Sequence, residues 1–203
     1  MIIETVISII IAYLIGAVNF ALVIGKVFFK TDVRNYGSKN LGGSNAGRVL
    51  GKKAGFCVMV LDVAKVIIAM GIGFALSGKE DTIILAGLAA GLGHCYPVWA
   101  GFKGGKAVAA LYGFFLGMIW FGGCSYLLFF LPLCVFLVVL YMGKMISLAS
   151  MISAVCSTIY IFITADSVLF ITVSCLFTAL VIWRHRSNVE RIRQGKENRI
   201  TWM

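Results

Sequence analysis

Seven apolar runs, near residues 5–25, 55–77, 82–98, 105–121, 122–141, 145–164 and 167–183, take up most of this 203-residue chain. A helix crosses the hydrocarbon core of a bilayer with about 20 apolar residues. The pattern therefore predicts an all-α polytopic membrane protein with seven transmembrane helices. Composition agrees: 61% of residues are hydrophobic, 13% are charged and the mean hydropathy is +0.99, far from the balance of a soluble domain. Seven spans leave no room for a separate soluble domain, so residues 1–203 are expected to form a single membrane-integral domain whose chemistry sits in loops or at helix ends. Met1 opens directly on the first run, with Glu4 as the only early charge and no basic n-region, so that run is expected to stay as a helix.

The basic residues fall on one side. The segments after the first, third, fifth and seventh runs hold Lys26, Lys30, Arg34, Lys39, Arg48, Lys52, Lys53, Lys103, Lys106, Lys144, Arg184, Arg186, Arg191, Arg193, Lys196 and Arg199, sixteen of the eighteen Lys and Arg. The opposite side has only Lys79, and Lys65 lies within the second run. Cytoplasmic connections carry the Lys/Arg excess, which predicts the N-terminus outside and the C-terminus in the cytoplasm. Topology and attraction to anionic lipid alone account for a basic surface. They do not call for the glycines, hydroxyls, asparagines and histidine interleaved with it, which suit a polyanion.

Three segments carry that mixture. The first is Gly37-Ser38-Lys39-Asn40-Leu41-Gly42-Gly43-Ser44-Asn45-Ala46-Gly47-Arg48. Its glycines let backbone N–H groups converge on an anion, and Arg48 offers a bidentate cation for phosphate. Glycine and asparagine also build ordinary turns, and the composition by itself admits both readings. The second runs from Gly93-His94-Cys95-Tyr96-Pro97 to Phe102-Lys103-Gly104-Gly105-Lys106-Ala107, placed before a helix N-terminus where cations, N–H donors and the helix dipole favour phosphate. It lacks Walker A spacing, so nucleotide binding is not expected. The third is Arg184-His185-Arg186-Ser187-Asn188 through Arg191 to Glu197, with His185 and Asn188 three apart and on one face if the last helix continues.

Within the runs, Asp62 and Lys65 stand three apart and are read either as a structural ion pair or as groups lining the site. Ser147 and Ser150 are either packing hydroxyls or substrate donors. Gly87, Gly91, Gly93, Gly113 and Gly117 mark the third and fourth helices as short, tilted or closely packed. The six cysteines form no C-x-x-C pair and are read as packing residues; no metal or cofactor is expected.

Together the three segments resemble the acyl-phosphate-dependent glycerol-3-phosphate acyltransferases of bacteria. The motif G-S-G-N-x-G-A-T-N-x-x-R is met at Gly37, Ser38, Asn40, Gly42, Asn45 and Arg48, with Ser44 in place of threonine. G-H-x-x-P followed by F-K-G-G-K-G-V-A is met at Gly93, His94, Pro97, Phe102 to Lys106, Val108 and Ala109. R-H-x-x-N-x-x-R with a following G-x-E is met at Arg184, His185, Asn188, Arg191, Gly195 and Glu197. The resemblance implies an inner-membrane enzyme with its active site on the cytoplasmic side, making lysophosphatidic acid and phosphate from acyl phosphate and glycerol 3-phosphate. It implies Ser38, Arg48, His185 and Asn188 at the reaction centre. Asn40, Ser44, Asn45, Lys103, Gly104, Gly105, Lys106, Ser147 and Arg184 would hold substrate, and Glu197 would support the structure. Membrane lipid is the expected surrounding, nucleic acid is not an expected partner, and the oligomeric state is left open.

Several positions depart from the family pattern. Gly16-Ala17-Val18-Asn19-Phe20 stands where members carry G-S-x-P-[ST], Lys39 and Ala107 replace glycines, and Lys144 and Met145 replace an arginine and a tyrosine. Such changes also fit a catalytically weakened or acceptor-shifted paralogue that binds acyl phosphate or lipid. A transporter of a phosphorylated solute would need polar groups near the midplane, where only Asp62 and Lys65 qualify. Acyl phosphate is already activated, so the protein has to align two anions and neutralise them. The proton of the acceptor hydroxyl goes to His185 or to a substrate phosphate oxygen, a choice the sequence leaves open. The H-x-x-x-x-D arrangement is absent, although His185 and Glu190 have its spacing with glutamate.

Overall fold

The structure, a computed structural model, describes residues 2–201 and contains helices but no strand among them. The helices are α1 Ile2–Ala17, α2 Phe20–Phe29, α3 Gly43–Leu50, α4 Lys52–Ser77, α5 Glu80–Cys95, α6 Val108–Gly122, α7 Leu127–Gly143, α8 Ile146–Thr164, α9 Val168–Arg184 and α10 Arg186–Arg193. Short 3-10 turns at Val33–Asn35 and Val98–Ala100 complete the described secondary structure. The chain divides into two compact units, Met1–Gly122 and Gly123–Met203.

All seven apolar runs are helical, but their lengths differ. Four stretches are long and apolar enough to cross a membrane: Ile2–Phe29, Lys52–Ser77, Glu80–Ala100 and Ile146–Thr164. Val168–Arg184 qualifies together with Arg186–Arg193, across a 54° bend. α6 and α7 have 15 and 17 residues, about 22 and 25 Å long against a hydrocarbon core of about 30 Å. α6 is short because residues expected inside it, 105–107, are held in the preceding loop. Large apolar side chains still point outward, with Phe28 74%, Ile163 75% and Met142 79% exposed. Only a lipid surrounding makes that surface favourable.

The first run is broken between α1 and α2, and Asn19 makes the break without a proline. Its backbone is extended and its Oδ1 accepts from Leu22 N–H at 3.0 Å, capping α2, while its Nδ2 donates to Leu41 O at 3.2 Å. The carbonyl of Val18, released from the helix, accepts from Lys65 Nζ at 2.7 Å.

Close packing explains the glycines of the first unit. A Cβ at Gly93 would collide with the α1 backbone at Tyr13 and Ala17, one at Gly113 would stand 2.6 Å from Val63 O on α4, and one at Gly117 would collide with Met70. In the second unit, Ser153 donates to Pro132 O at 2.9 Å, and Thr158 shares hydrogen bonds with Ser174 at 3.0 Å and Thr178 at 2.7 Å. Hydroxyls thus tie α8 to its neighbours α7 and α9.

Candidate functional site

In the first unit, the segment from Val33 to Arg48 is organised around one side chain, Asn45. It lies in the first turn of α3 and is buried, and its Oδ1 accepts from Ser38 N–H at 2.8 Å. Its Nδ2 donates to Val33 O at 3.1 Å and Tyr36 O at 3.3 Å. The loop closes over this amide, and Gly37, with φ +59°, is the residue whose Cβ would collide with Asn45 Oδ1. Asn45, expected to bind substrate, therefore has its amide committed to shaping the loop that presents Ser38. Ser38 is exposed, and Asn40 sits beside Gly42. Ser44 and Arg48, four apart on α3, share its exposed face. Beneath the segment, Val33, Leu41 and Ala46 pack on Ala21, Ile24, Ala54 and Val58.

Lys39 has φ +58° and Ala107 has φ +63°. Both positions where glycine is the family habit thus keep the left-handed backbone that glycine favours, at about 1–2 kcal/mol each for a residue with a Cβ.

The Lys103–Lys106 loop is seated on His94. Gly105 N–H donates to His94 O at 3.0 Å. A Cβ at Gly105 would collide with the His94 ring, and one at Gly104 with the His94 carbonyl. Both glycines are buried in this contact, while Lys103 is exposed and Lys106 half-buried. Asp62 and Lys65 form a buried ion pair at 2.7 Å, and His94 Nδ1 lies 3.5 Å from the same Asp62 oxygen. The first of the two readings of Asp62 and Lys65 is thereby seen directly. The histidine beside them is a neighbour that spacing did not suggest, because it comes from another helix.

In the second unit, the last helix does not run straight past His185. α9 ends there and α10 begins, at the 54° bend. His185 Nδ1 lies 2.8 Å from Val181 O. A carbonyl only accepts, so Nδ1 carries the hydrogen and Nε2 is the basic nitrogen of the neutral ring. Glu197 collects the rest: Ser147 Oγ donates to Oε1 at 2.7 Å, Asn188 Nδ2 to Oε1 at 2.6 Å and Arg191 Nε to Oε2 at 2.8 Å. Burial would raise the Glu197 carboxyl, but hydrogen bonds from Asn188, Ser147 and Arg191 and the charge of Arg191 outweigh it and hold the group below its ordinary value. Ser147 and Asn188 are thus brought together by a carboxylate. Arg184, at the end of α9, is half-buried. The tail returns through Ile200 N–H, which donates to Lys144 O at 2.8 Å, and Lys144 itself closes α7 in a left-handed conformation.

Known proteins are similar to this chain along nearly its whole length. The family profile described as glycerol-3-phosphate acyltransferase matches residues 6–195. A glycerol-3-phosphate acyltransferase of Listeria monocytogenes (strain HCC23) is 44% identical over 194 residues, covering 95% of this chain and 94% of the relative. One of Staphylococcus saprophyticus is 43% identical over 206 residues, covering 98% of both. Among solved structures, the glycerol 3-phosphate form of PlsY, an integral membrane glycerol 3-phosphate acyltransferase, superposes with TM-score 0.89 at 34% identity, covering 97% of this chain and 96% of that one. Its lysophosphatidic acid form gives TM-score 0.86 at 33% identity, covering 97% and 95%. The chain belongs to the glycerol-3-phosphate acyltransferase family, as a multi-pass helical membrane protein.

Proposed function

We propose that this protein transfers the fatty acyl group of an acyl phosphate to the primary hydroxyl of glycerol 3-phosphate, releasing lysophosphatidic acid and phosphate as the first step of phospholipid synthesis. The observation that carries the reading is the full-length match, 44% identical over 95% of the chain, to a protein named for glycerol-3-phosphate acylation. The neighbour PlsY, described in glycerol 3-phosphate and lysophosphatidic acid forms, supports the same acceptor and product.

The chain sits in the bacterial inner membrane with α1–α2 as one span and α4, α5, α6, α7, α8 and α9 as six more. The count of sixteen basic residues against one supports an N-terminus outside and the three motifs on the cytoplasmic side. Arg48 and Ser44, sharing one exposed face, together with Ser38 on the loop shaped by Asn45, bind and polarise phosphorylated substrate, with Asn40 beside them. The Lys103–Gly104–Gly105–Lys106 loop holds the phosphate of glycerol 3-phosphate through its cations and backbone. Bringing two anions together is the main electrostatic problem, and these cations answer it.

The acceptor oxygen attacks the acyl carbonyl, the carbon–oxygen bond to phosphate breaks, and phosphate leaves as a stabilised anion without a general acid. A donor at Ser38 stabilises the oxyanion that forms on the way, an effect of about 3 kcal/mol when one donor is lost. Nε2 of His185, basic because Nδ1 faces Val181 O, is the protein atom suited to take the hydroxyl proton. Arg184 adds positive charge beside it in sequence, and Ser147 and Glu197 hold Asn188 in place. No cofactor or metal enters this reaction. The helix break at Asn19 and the left-handed backbone at Lys39 and Ala107, a conformation that glycine favours, support an active enzyme over a weakened paralogue.

The test is purified protein in lipid with palmitoyl phosphate and labelled glycerol 3-phosphate, with palmitoyl-CoA as the comparison donor. Labelled lysophosphatidic acid from palmitoyl phosphate alone is expected. Product from palmitoyl-CoA only would overturn the donor assignment.

A further inference from the structure

Three ionisable side chains of the first unit are buried next to one another, two on α4 and one at the end of α5. Asp62, Lys65 and His94 are each at most 3% exposed. A buried ion pair is a poor source of stability, since replacing it with packed apolar side chains is often neutral or better. Retaining one inside a membrane span asks for another reason.

The contacts supply it. Lys65 Nζ is fixed at 2.7 Å from Asp62 Oδ1 and 2.7 Å from the Val18 carbonyl that the α1–α2 break exposes. Asp62 Oδ1 faces Nδ1 of His94 at 3.5 Å, and the opposite edge of that ring, at Nε2, abuts Gly105 so closely that no Cβ fits there. The main chain of His94 binds the same glycine through its carbonyl. One residue thus touches the centre of the Lys-Gly-Gly-Lys loop with both backbone and ring, and the ring has a fixed charge behind it. The orientation of the ring and the seat of Gly105 are therefore coupled.

We propose that Asp62, anchored by Lys65, orients the His94 ring as the seat of the Lys103–Lys106 loop, making Asp62, Lys65 and His94 positioning residues for the phosphate of glycerol 3-phosphate. The inference rests on the reading of that loop as the glycerol 3-phosphate cradle. None of the three touches substrate; they act through Gly105. The signature is therefore on acceptor affinity rather than on turnover.

The experiment compares Asp62→Asn, His94→Gln and the double variant with the unsubstituted protein, full length and in lipid. It measures kcat, the KM of each substrate, and equilibrium binding of glycerol 3-phosphate and of inorganic phosphate by calorimetry. Each single variant is expected to raise the KM of glycerol 3-phosphate and weaken its binding by at least about tenfold. The KM of palmitoyl phosphate and kcat should move less than about threefold. The double variant should be no worse than the poorer single, because the residues act in one line. Folded variants with unchanged acceptor affinity, or losses that multiply in the double variant, would overturn the proposal. Where Asp62→Asn does not fold, Asp62→Asn with Lys65→Met removes both charges together and is read by the same criterion. An unsubstituted protein that binds phosphate but makes no lysophosphatidic acid would sink the proposed function and leave the positioning role to be decided by affinity. A protein that binds neither ligand would end both.

Discussion

Replacing Glu197 should loosen the second unit in a graded way. Its carboxylate, 5% exposed in its side chain, accepts from Ser147 at 2.7 Å, Asn188 at 2.6 Å and Arg191 at 2.8 Å. A hydrogen bond to a charged group is worth about 1.5–3 kcal/mol, and removing the acceptor strands two buried donors. Arg191 is 35% exposed in its side chain, so solvent screening leaves its share at about 1 kcal/mol or less. Glu197→Ala should therefore cost about 3–5 kcal/mol. Glu197→Gln keeps an acceptor for Ser147 and Asn188 but turns an amide toward the Arg191 donor, for about 1–3 kcal/mol. The assay is thermal unfolding of purified protein in detergent, where about 2–4 °C per kcal/mol gives a drop of about 6–20 °C for alanine and a smaller one for glutamine. Because the folded carboxyl lies below its ordinary 4.5, its stabilisation is present above that pH and is lost as pH falls through the folded value. The gap between wild type and Glu197→Gln should then close in acid. Equal melting of all three proteins at pH 7 would refute the reasoning.

Arg48→Ala should abolish acyl transfer, by at least about a hundredfold, with the melting temperature unchanged, since Arg48 is exposed on α3; normal turnover would remove it from the site. Ala107→Gly should relieve the left-handed strain at φ +63°, raising stability by about 0.5–1 kcal/mol after the added freedom of the unfolded chain is counted; a lower melting temperature would contradict this. Asp32 is held at about 2, chiefly by the Arg34 side chain, which reaches it at 2.6 Å. Its contribution is complete above about 3.8 and fades as pH falls toward 2. With Arg34 37% exposed, Asp32→Asn should cost about 1 kcal/mol or less at pH 7 and only a small part of that at pH 2, read from melting temperatures at the two pH values.

Hydropathy located every long helix, because burial in lipid demands continuous apolar stretches and leaves little else to read. It did not reveal the break at Asn19. A single asparagine inside an apolar run looks like a packing polar group until its amide is seen capping Leu22 and reaching Leu41. The window near 105–121 began too early, since Gly105 and Ala107 are apolar enough to join a helix by composition but are tied into a loop by His94 and a positive φ. The Asp62–Lys65 pair was legible from spacing along one helix. His94 was not, for its place against Asp62 and Gly105 depends on how α4 and α5 pack. Asn45 illustrates the same limit: the motif marked it, but its role in shaping the loop is visible only in its three hydrogen bonds. The condition attached to His185 and Asn188, that the last helix continue, is not met by a straight helix, since the chain bends there and Asn188 lies against Glu197.

The most direct test of acyl transfer follows the oxygen atoms. Palmitoyl phosphate labelled with oxygen-18 at the bridging position is incubated with glycerol 3-phosphate and the purified protein in lipid, and both products are weighed by mass spectrometry. Attack at the acyl carbon predicts lysophosphatidic acid without label and one equivalent of phosphate carrying it. Absence of lysophosphatidic acid from protein that remains folded, or label retained in its ester, would contradict the account.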